Sequence, residues 1–388
     1  MTAEPPPADM TLTRSSRDDV AMTATLTTWL NGQLGEGADV EVVLSGASDA
    51  NGMSSETILA DVTWTEVGPE GPQRDTHPFV MRMAPAEKDV PVFETYRLDH
   101  QYEAIRLVGE LSGVPVPTPR WLEASGEVLG QPFFFMDRIE GIVPPDVMPY
   151  TFGDNWFFDA PYADQRRLQD STVGVLADLH SIPDARETFG FLDVRDYEGD
   201  TELRRLFSKL RSWYTWAAAE LAPSPLIEQA LTWLEANWPD ADRPDNVVLS
   251  WGDSRIGNCL YRDFEPVAVL DWEMAGIGPR ELDLGWIVFA HKVFQSITDV
   301  FGMPGLPEVL KPEDVRAVYT EATGVEVGDL RWFEIYSAVI WGVVFMRTGA
   351  RQVHFGELAE IPEDIDSLFH HGPLMRSLLE GAREGGQS

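Results

Sequence analysis

The sequence predicts an α+β chain in two parts, a strand-rich first third and a mainly helical remainder. Three observations predict it. Extended patterns crowd before residue 140, at Val40 to Leu44, Ile58 to Trp64, Pro78 to Met83 and the aromatic run Phe133 to Met136. Beyond Gly141 the apolar residues recur instead at spacings of three and four. A chain of 388 residues is also long for one hydrophobic core, so two lobes or domains are expected.

The first residues are polar and Pro-rich, without a charged start followed by an apolar core, and read as a flexible tail rather than a secretory signal. Val20, Met22, Leu26, Trp29 and Leu30 then recur at helical spacing, so residues 1–36 are taken as a tail and a leading helix. Strands at Val40 to Leu44 and Ile58 to Trp64 flank a run of small residues, Ser45 to Thr57, whose backbone N–H groups can lie over phosphates. A polar connector bearing Pro and Gly precedes a third strand, Pro78 to Met83, which carries Arg82. Glu94 to Ser112 has Tyr102, Ile105, Val108 and Leu111 on one helical face. Val114 to Pro119, with alternate prolines, cannot be helical and leads into a strand at Trp121 to Glu123. The aromatic strand ends in the charged connector Asp137-Arg138-Ile139-Glu140, and Gly141 lets the chain turn into its second part.

Helices are expected there at Gln165 to His180, Leu203 to Leu221, Leu226 to Trp238, Pro312 to Thr323, Trp332 to Thr348 and Ile365 to Leu379. His180 reads as a helix-end or core histidine. The longest apolar run, Tyr336 to Met346, is too short to cross a bilayer, so no membrane anchor is expected. His370-His371 has no Cys or further His at ligand spacing, which argues against zinc. No G-x-S-x-G elbow or G-x-G-x-x-G turn points to hydrolase or dinucleotide chemistry. Sixty-four acids against 29 bases give a net charge of −35, which disfavours nucleic acid as a partner. The acids are spread along the chain and read as a solvated face. The single cysteine, Cys259, rules out an internal disulfide and fits a reducing cytoplasm.

The chemistry concentrates in Asn246 to Asp283. Two apolar runs, Val247 to Leu249 and Val267 to Leu270, each end in polar residues, so two short buried strands deliver Asp253 and Asp271 to one place. Asn258 lies five residues after Asp253, on a loop that Gly252 and Gly257 allow to turn. A base, an amide ligand and a metal-binding acid in that order are what phosphoryl transfer needs. A nucleotide triphosphate requires Mg2+ held by hard oxygen ligands, usually one or two carboxylates with an amide. Asn258 and Asp271 fit that set, and Asp253 is placed to accept or orient the proton of an attacking hydroxyl.

This pattern, W-G-D-x4-N, then a strand ending Asp271-Trp272-Glu273, resembles the catalytic and metal loops of the aminoglycoside phosphotransferase family, which has a protein-kinase-like fold. The L-G-x-P-F-F-x-M-D segment resembles the branch related to the kinase-like part of some acyl-CoA dehydrogenase proteins. The resemblance implies two lobes: an N-lobe of five antiparallel strands plus a helix, residues 37–140, which binds nucleotide, and a mainly helical C-lobe, residues 141–388, for catalysis and acceptor binding. It implies ATP or GTP as donor, Mg2+, and a small-molecule acceptor with a hydroxyl. It further implies Ser54 and Ser55 in a phosphate-covering loop, Arg82 on the α- and β-phosphates, and Asp137, Arg138 and Ile139 at an adenine-binding hinge. Arg255, two positions after Asp253, is a cation for the transferring phosphoryl group, and Asp283 an acid that accepts backbone N–H bonds from the catalytic loop. Two positions depart from the family pattern. Trp251 stands where a histidine is usual, implying an altered support for the loop. Gln101 stands where a glutamate commonly pairs with the strand cation, so that pair falls to Glu103, to Glu94, or is not made. An aminoglycoside-like acceptor leads, followed by a hydroxyacyl-CoA or another apolar hydroxylated metabolite. A nucleotide-binding pseudoenzyme acting as sensor or scaffold is the reading from another class.

Overall fold

Period-two alternation in the first part of the chain generates a sheet with one face toward a helix and the other toward a cleft. A computed structural model describes residues 18–47, 54–69 and 71–385. The expected tail to residue 17, and Gly52 and Met53 of the expected phosphate loop, lie outside the described residues. In the N-terminal part, α1 (Asp19–Leu34) is capped by the Asp18 carboxylate, which accepts from the N–H groups of Val20 and Ala21. Strands β1 (Glu41–Ala47), β2 (Glu56–Gly68) and β3 (Gly71–Met83) follow, then α2 (Leu98–Leu111), β4 (Pro119–Glu123) and β5 (Phe133–Asp137). They form a five-stranded sheet of order β1-β2-β3-β5-β4, every pairing antiparallel. Ile58, Ala60, Val62, Phe79, Met81, Phe133 and Phe135 point to one face and are buried with Met22, Leu26 and Leu30 of α1. The opposite face carries the alternate residues, so register places Arg82 beside Thr57 of β2 and Phe134 of β5.

The β2–β3 hairpin is longer than its hydrophobic pattern foretold. Residues expected to be a polar connector pair across the strands: the Thr63 and Thr76 hydroxyls lie 2.8 Å apart, and Trp64 stacks on His77. Cross-strand contacts of this kind hold a ladder without burying a face.

The second part contains α3 (Tyr162–His180), the short α4 (Ala185–Thr188), α5 (Glu202–Glu220) and α6 (Pro225–Ala236), then β6 (Val248–Ser250), β7 (Cys259–Arg262), β8 (Glu265–Val269) and β9 (Gly276–Gly278). Helices α7 (Glu281–Val300), α8 (Pro312–Thr323), α9 (Arg331–His354) and α10 (Gly372–Gly385) complete it. The helix expected over Ile365 to Leu379 is instead a 3-10 turn, Ile365–Leu368, a break, and α10. Within the break the buried His371 ring donates to the Ala338 carbonyl, and Pro373 starts the new helix where its missing N–H costs nothing. Two strands carried no signal in the sequence. Gly276-Ile277-Gly278 pairs with β6, and Cys259 to Arg262 pairs with β8. At Gly141 a Cβ would come within 2.9 Å of the Leu260 Cβ, so glycine there serves close approach of the two parts.

Candidate active site

The loop after β6 is built around one buried carboxylate. Asp283, in the first turn of α7 and without solvent exposure, accepts from the Trp251 N–H (2.9 Å), the Gly252 N–H (2.9 Å), the Ser250 hydroxyl (3.0 Å) and His180 Nε2 (2.9 Å). The other His180 nitrogen meets the Tyr319 hydroxyl at 2.9 Å, so this histidine is a structural link. Gly252 has φ +90°, and a Cβ on it would strike the Met274 carbonyl; only glycine makes this turn. Trp251 is fully buried, and its indole N–H donates to the Leu270 carbonyl (2.8 Å), tying the loop to the residue before Asp271.

From this scaffold Asp253 projects with its Oδ1 accepting from the Trp286 indole (2.8 Å) and from Arg255 Nε (3.1 Å). The Asn258 amide nitrogen donates to the Asp253 carbonyl (3.0 Å), which leaves its oxygen as the group presented outward. Asp271 sits at φ +61°, a conformation aspartate tolerates better than most residues, and the Leu270 N–H donates to the Asn258 carbonyl (2.9 Å). The two loops are thereby stitched together. Asn258 and Asp271 line one cleft of about 500 Å3 with Thr57, Arg82 and Ile139. An amide oxygen and a carboxylate facing such a cleft form the hard, incomplete donor set that suits Mg2+ completed by phosphate and water.

Arg82 is nearly buried, yet neither Glu103 nor Glu94 holds it. Glu103 pairs with Arg106 of its own helix at 2.5 Å, and Glu94 is exposed. Arg82 instead meets Asp271 at 2.9 Å and Glu273 at 3.5 Å, and donates to the Thr57 hydroxyl. Glu273 also accepts from the hydroxyls of Ser54 and Ser55, so the start of β2 is fastened to the loop that carries Asp271. Burial raises the Asp271 and Glu273 carboxyls above the ordinary range; the Asp253 charge adds to this at Asp271 and the Asp271 charge at Glu273, while Arg82 opposes both.

Arg255 is not a free cation. Burial works against its charge, but Asp146 and Asp253 hold its guanidinium protonated, with Asp146 bonded to Nη1. Asp146 is a site residue that sequence reasoning missed, since nothing in Pro145-Asp146-Val147 distinguishes it from a turn. Its Oδ1 is buried without a hydrogen-bond partner among the described residues. At the expected hinge the N–H groups of Asp137 and Arg138 are already spent, on the carbonyls of Thr118 (2.9 Å) and Pro78 (3.2 Å). Their side chains pair with Arg120 and Asp61. Of the three residues expected at a hinge, Ile139 is the one for which neither use is seen among the described residues. A second pocket, of about 280 Å3, opens at Asp253; Asp146, Arg255, Asp271 and Glu273 line it together with an apolar wall of Val92, Phe93, Phe294, Ile297, Trp341 and Phe345.

The chain matches the model of the phosphotransferase enzyme family over residues 71–312. Human acyl-CoA dehydrogenase family member 11 is 26% identical over 312 residues, covering 77% of this chain and 35% of that protein. The chain thus spans about a third of the length of the curated relatives it matches. A solved structure of a protein from Ralstonia eutropha superposes with a TM-score of 0.61 at 20% identity, covering 93% of this chain and 98% of that one. Ethanolamine kinase from Plasmodium vivax superposes with a TM-score of 0.59 at 10% identity, covering 94% and 91%. At such identities the likeness is one of fold, and the fold is the two-lobed, kinase-like α+β architecture.

Proposed function

The chain belongs to the phosphotransferase enzyme family, and on that premise we propose that it transfers the γ-phosphoryl group of ATP to a hydroxyl of a small molecule. The observation that carries this reading is the junction of Asp253, Asn258 and Asp271 across two loops stitched by backbone and indole hydrogen bonds. Nucleotide binding is assigned to residues 37–140, and catalysis with acceptor binding to residues 141–388. The adenine edge bonds the N–H of Ile139, and the phosphates lie against Arg82 with Ser54 and Ser55 above them. Asn258 Oδ1 and the Asp271 carboxylate would hold Mg2+, which when bound would supply charge neutralisation on the phosphate oxygens. Asp253, fixed by the Trp286 indole and Arg255, orients the acceptor hydroxyl and takes its proton as the new O–P bond forms and the bond to the β-phosphate oxygen breaks. ADP is the leaving group. Arg255, neutralised by Asp146 and Asp253, positions that carboxylate rather than meeting the phosphoryl group directly.

The pocket beside Asp253 favours an apolar hydroxylated acceptor over an aminoglycoside. A polycation needs clustered acids left free beyond the catalytic set, whereas the further acids on this pocket, Asp146 and Glu273, are paired with Arg255 and Arg82, and Val92, Phe93, Phe294, Ile297, Trp341 and Phe345 make an apolar wall. No helix among the described residues is long and apolar enough to cross a membrane, and we place the protein in the cytoplasm, where its buried Cys259 stays reduced. Turnover of Mg·ATP against a panel of aminoglycosides, a macrolide, hydroxyacyl-CoA esters and medium-chain hydroxy acids tests the reading. Transfer to an apolar acceptor is expected. Transfer to aminoglycosides alone would reverse the choice of acceptor, and nucleotide binding without transfer to any of them would favour a sensor or scaffold.

A further inference from the structure

A separate chamber of about 140 Å3 lies between the start of α2, helix α5 and helix α9. It borders Gly252, the residue before Asp253, and shares Phe93, Glu273, Met274 and Trp286 as walls with the apolar pocket. A molecule whose hydroxyl sits at Asp253 therefore has two directions in which to extend. One is apolar. The other leads to Lys209 of α5, Gln101 of α2 and Tyr336 of α9.

Lys209 lines the chamber and is exposed to solvent; the protein packed around it lowers its pKa, with no acid acting on it. It takes part in no ion pair among the described residues. Of the other charged groups on these walls, Arg97 is tied to Asp99 at 2.7 Å, Glu273 to Arg82 and the two serines, and Glu94 is exposed. Gln101 is 4% and Tyr336 6% exposed, and neither side chain has a hydrogen-bond partner among the described residues. Buried amides and hydroxyls are normally satisfied.

We propose that this chamber binds an anionic group, carboxylate or phosphate, carried by the acceptor beyond its hydroxyl, with Lys209 as the cation and the Gln101 amide and Tyr336 hydroxyl as further donors. The acceptor is then an amphiphile: an apolar arm beside Phe294 and Trp341, a hydroxyl at Asp253, and an anionic end at Lys209. In a chain of net charge −35, a lysine without an ion-pair partner on the chamber wall selects for charge sign. Gln101 also acquires a use in this arrangement. A glutamate at that position would set a negative charge in the chamber and oppose the anion.

The proposal rests on the reading of Asp253 as the residue that faces the acceptor, and its test does not require turnover. Binding of 3-hydroxydecanoate, 3-hydroxydecyl phosphate and neutral 1,3-decanediol to the full chain is measured by calorimetry without nucleotide, in wild type, Lys209→Met, Lys209→Arg and Tyr336→Phe. At least one anionic probe should bind wild type roughly tenfold or more tightly than the diol, the scale of one charge-assisted hydrogen bond. The two anionic arms separate carboxylate from phosphate. Lys209→Met should erase the preference while leaving the diol affinity unchanged, Lys209→Arg should keep most of it, and Tyr336→Phe should weaken it in part. A diol that binds as tightly as both anions, a preference that survives Lys209→Met, or no saturable binding of any probe would overturn the proposal. Binding with the expected preference but no phosphoryl transfer to the bound probe would instead count against the kinase reading.

Discussion

Replacing Asp283 by asparagine tests how the loop that carries Asp253 is held. The wild-type carboxylate accepts four hydrogen bonds, two on each oxygen, in a site without solvent exposure. Asparagine keeps the shape and one oxygen but turns the other into a donor. If the new amide nitrogen faces the Trp251 side, His180 can adjust by exchanging its tautomer with Tyr319, and the Trp251 N–H is orphaned. If it faces the other side, the Ser250 hydroxyl rotates to accept, and the Gly252 N–H is orphaned. Either way one backbone N–H of the loop is left buried and unpaired, at about 1–3 kcal/mol, and the remaining bonds lose their charge assistance, so the total is about 2–4 kcal/mol. Urea denaturation followed by tryptophan emission measures that loss. The orphaned group lies one or two residues from Asp253, so phosphoryl transfer should fall at least tenfold at saturating nucleotide while nucleotide affinity changes little. A loss below about 0.5 kcal/mol with unchanged turnover would refute the claim that Asp283 organises the loop.

Asp271→Ala should abolish Mg2+-dependent nucleotide binding in calorimetry with and without chelator; affinity that stays metal-dependent would move the metal site elsewhere. Gly252→Ala forces a side chain into a left-handed turn and against the Met274 carbonyl, and should lower both stability and turnover sharply, with a normal melting profile as the contradicting result. Burial depresses His291 and His371 to about 4 in the folded chain. Unfolded imidazoles titrate near about 6.5, so between those values the unfolded chain binds protons that the folded chain refuses. Their contribution to stability is thus full above pH 6.5 or so and is lost as pH falls toward about 4. The double variant His291→Gln/His371→Gln should lose less stability than wild type between pH 7 and about 4.5 in parallel urea titrations.

The legible parts of this molecule were those written as local pattern. Strand alternation fixed which face Arg82 occupies, and the spacing from Asp253 to Asn258 to Asp271 placed three oxygen-bearing groups on two adjoining loops. Partnership was harder to read because it joins distant segments. Arg82 finds Asp271 and Glu273, 189 and 191 residues away, where the sequence had pointed to a helix nearby. Asp146 looked like a turn residue and became the counter-charge of Arg255 across 109 positions. The strand Gly276-Ile277-Gly278 carries no β-branched run beyond one isoleucine, and only its pairing with β6 defines it. The aromatic strand ends at Asp137, within the stretch read from the sequence. That the Asp137 and Arg138 N–H groups are already bonded follows from tertiary register, which no local pattern reveals.

The most direct test of the account is radiolabelled phosphoryl transfer from γ-labelled ATP to a hydroxylated acceptor by wild type beside Asp253→Ala, with Mg·ATP affinity measured on both. The account predicts transfer by the wild type and a loss of several orders of magnitude in the variant, at nearly unchanged nucleotide affinity. Transfer at comparable rates by both proteins would contradict it.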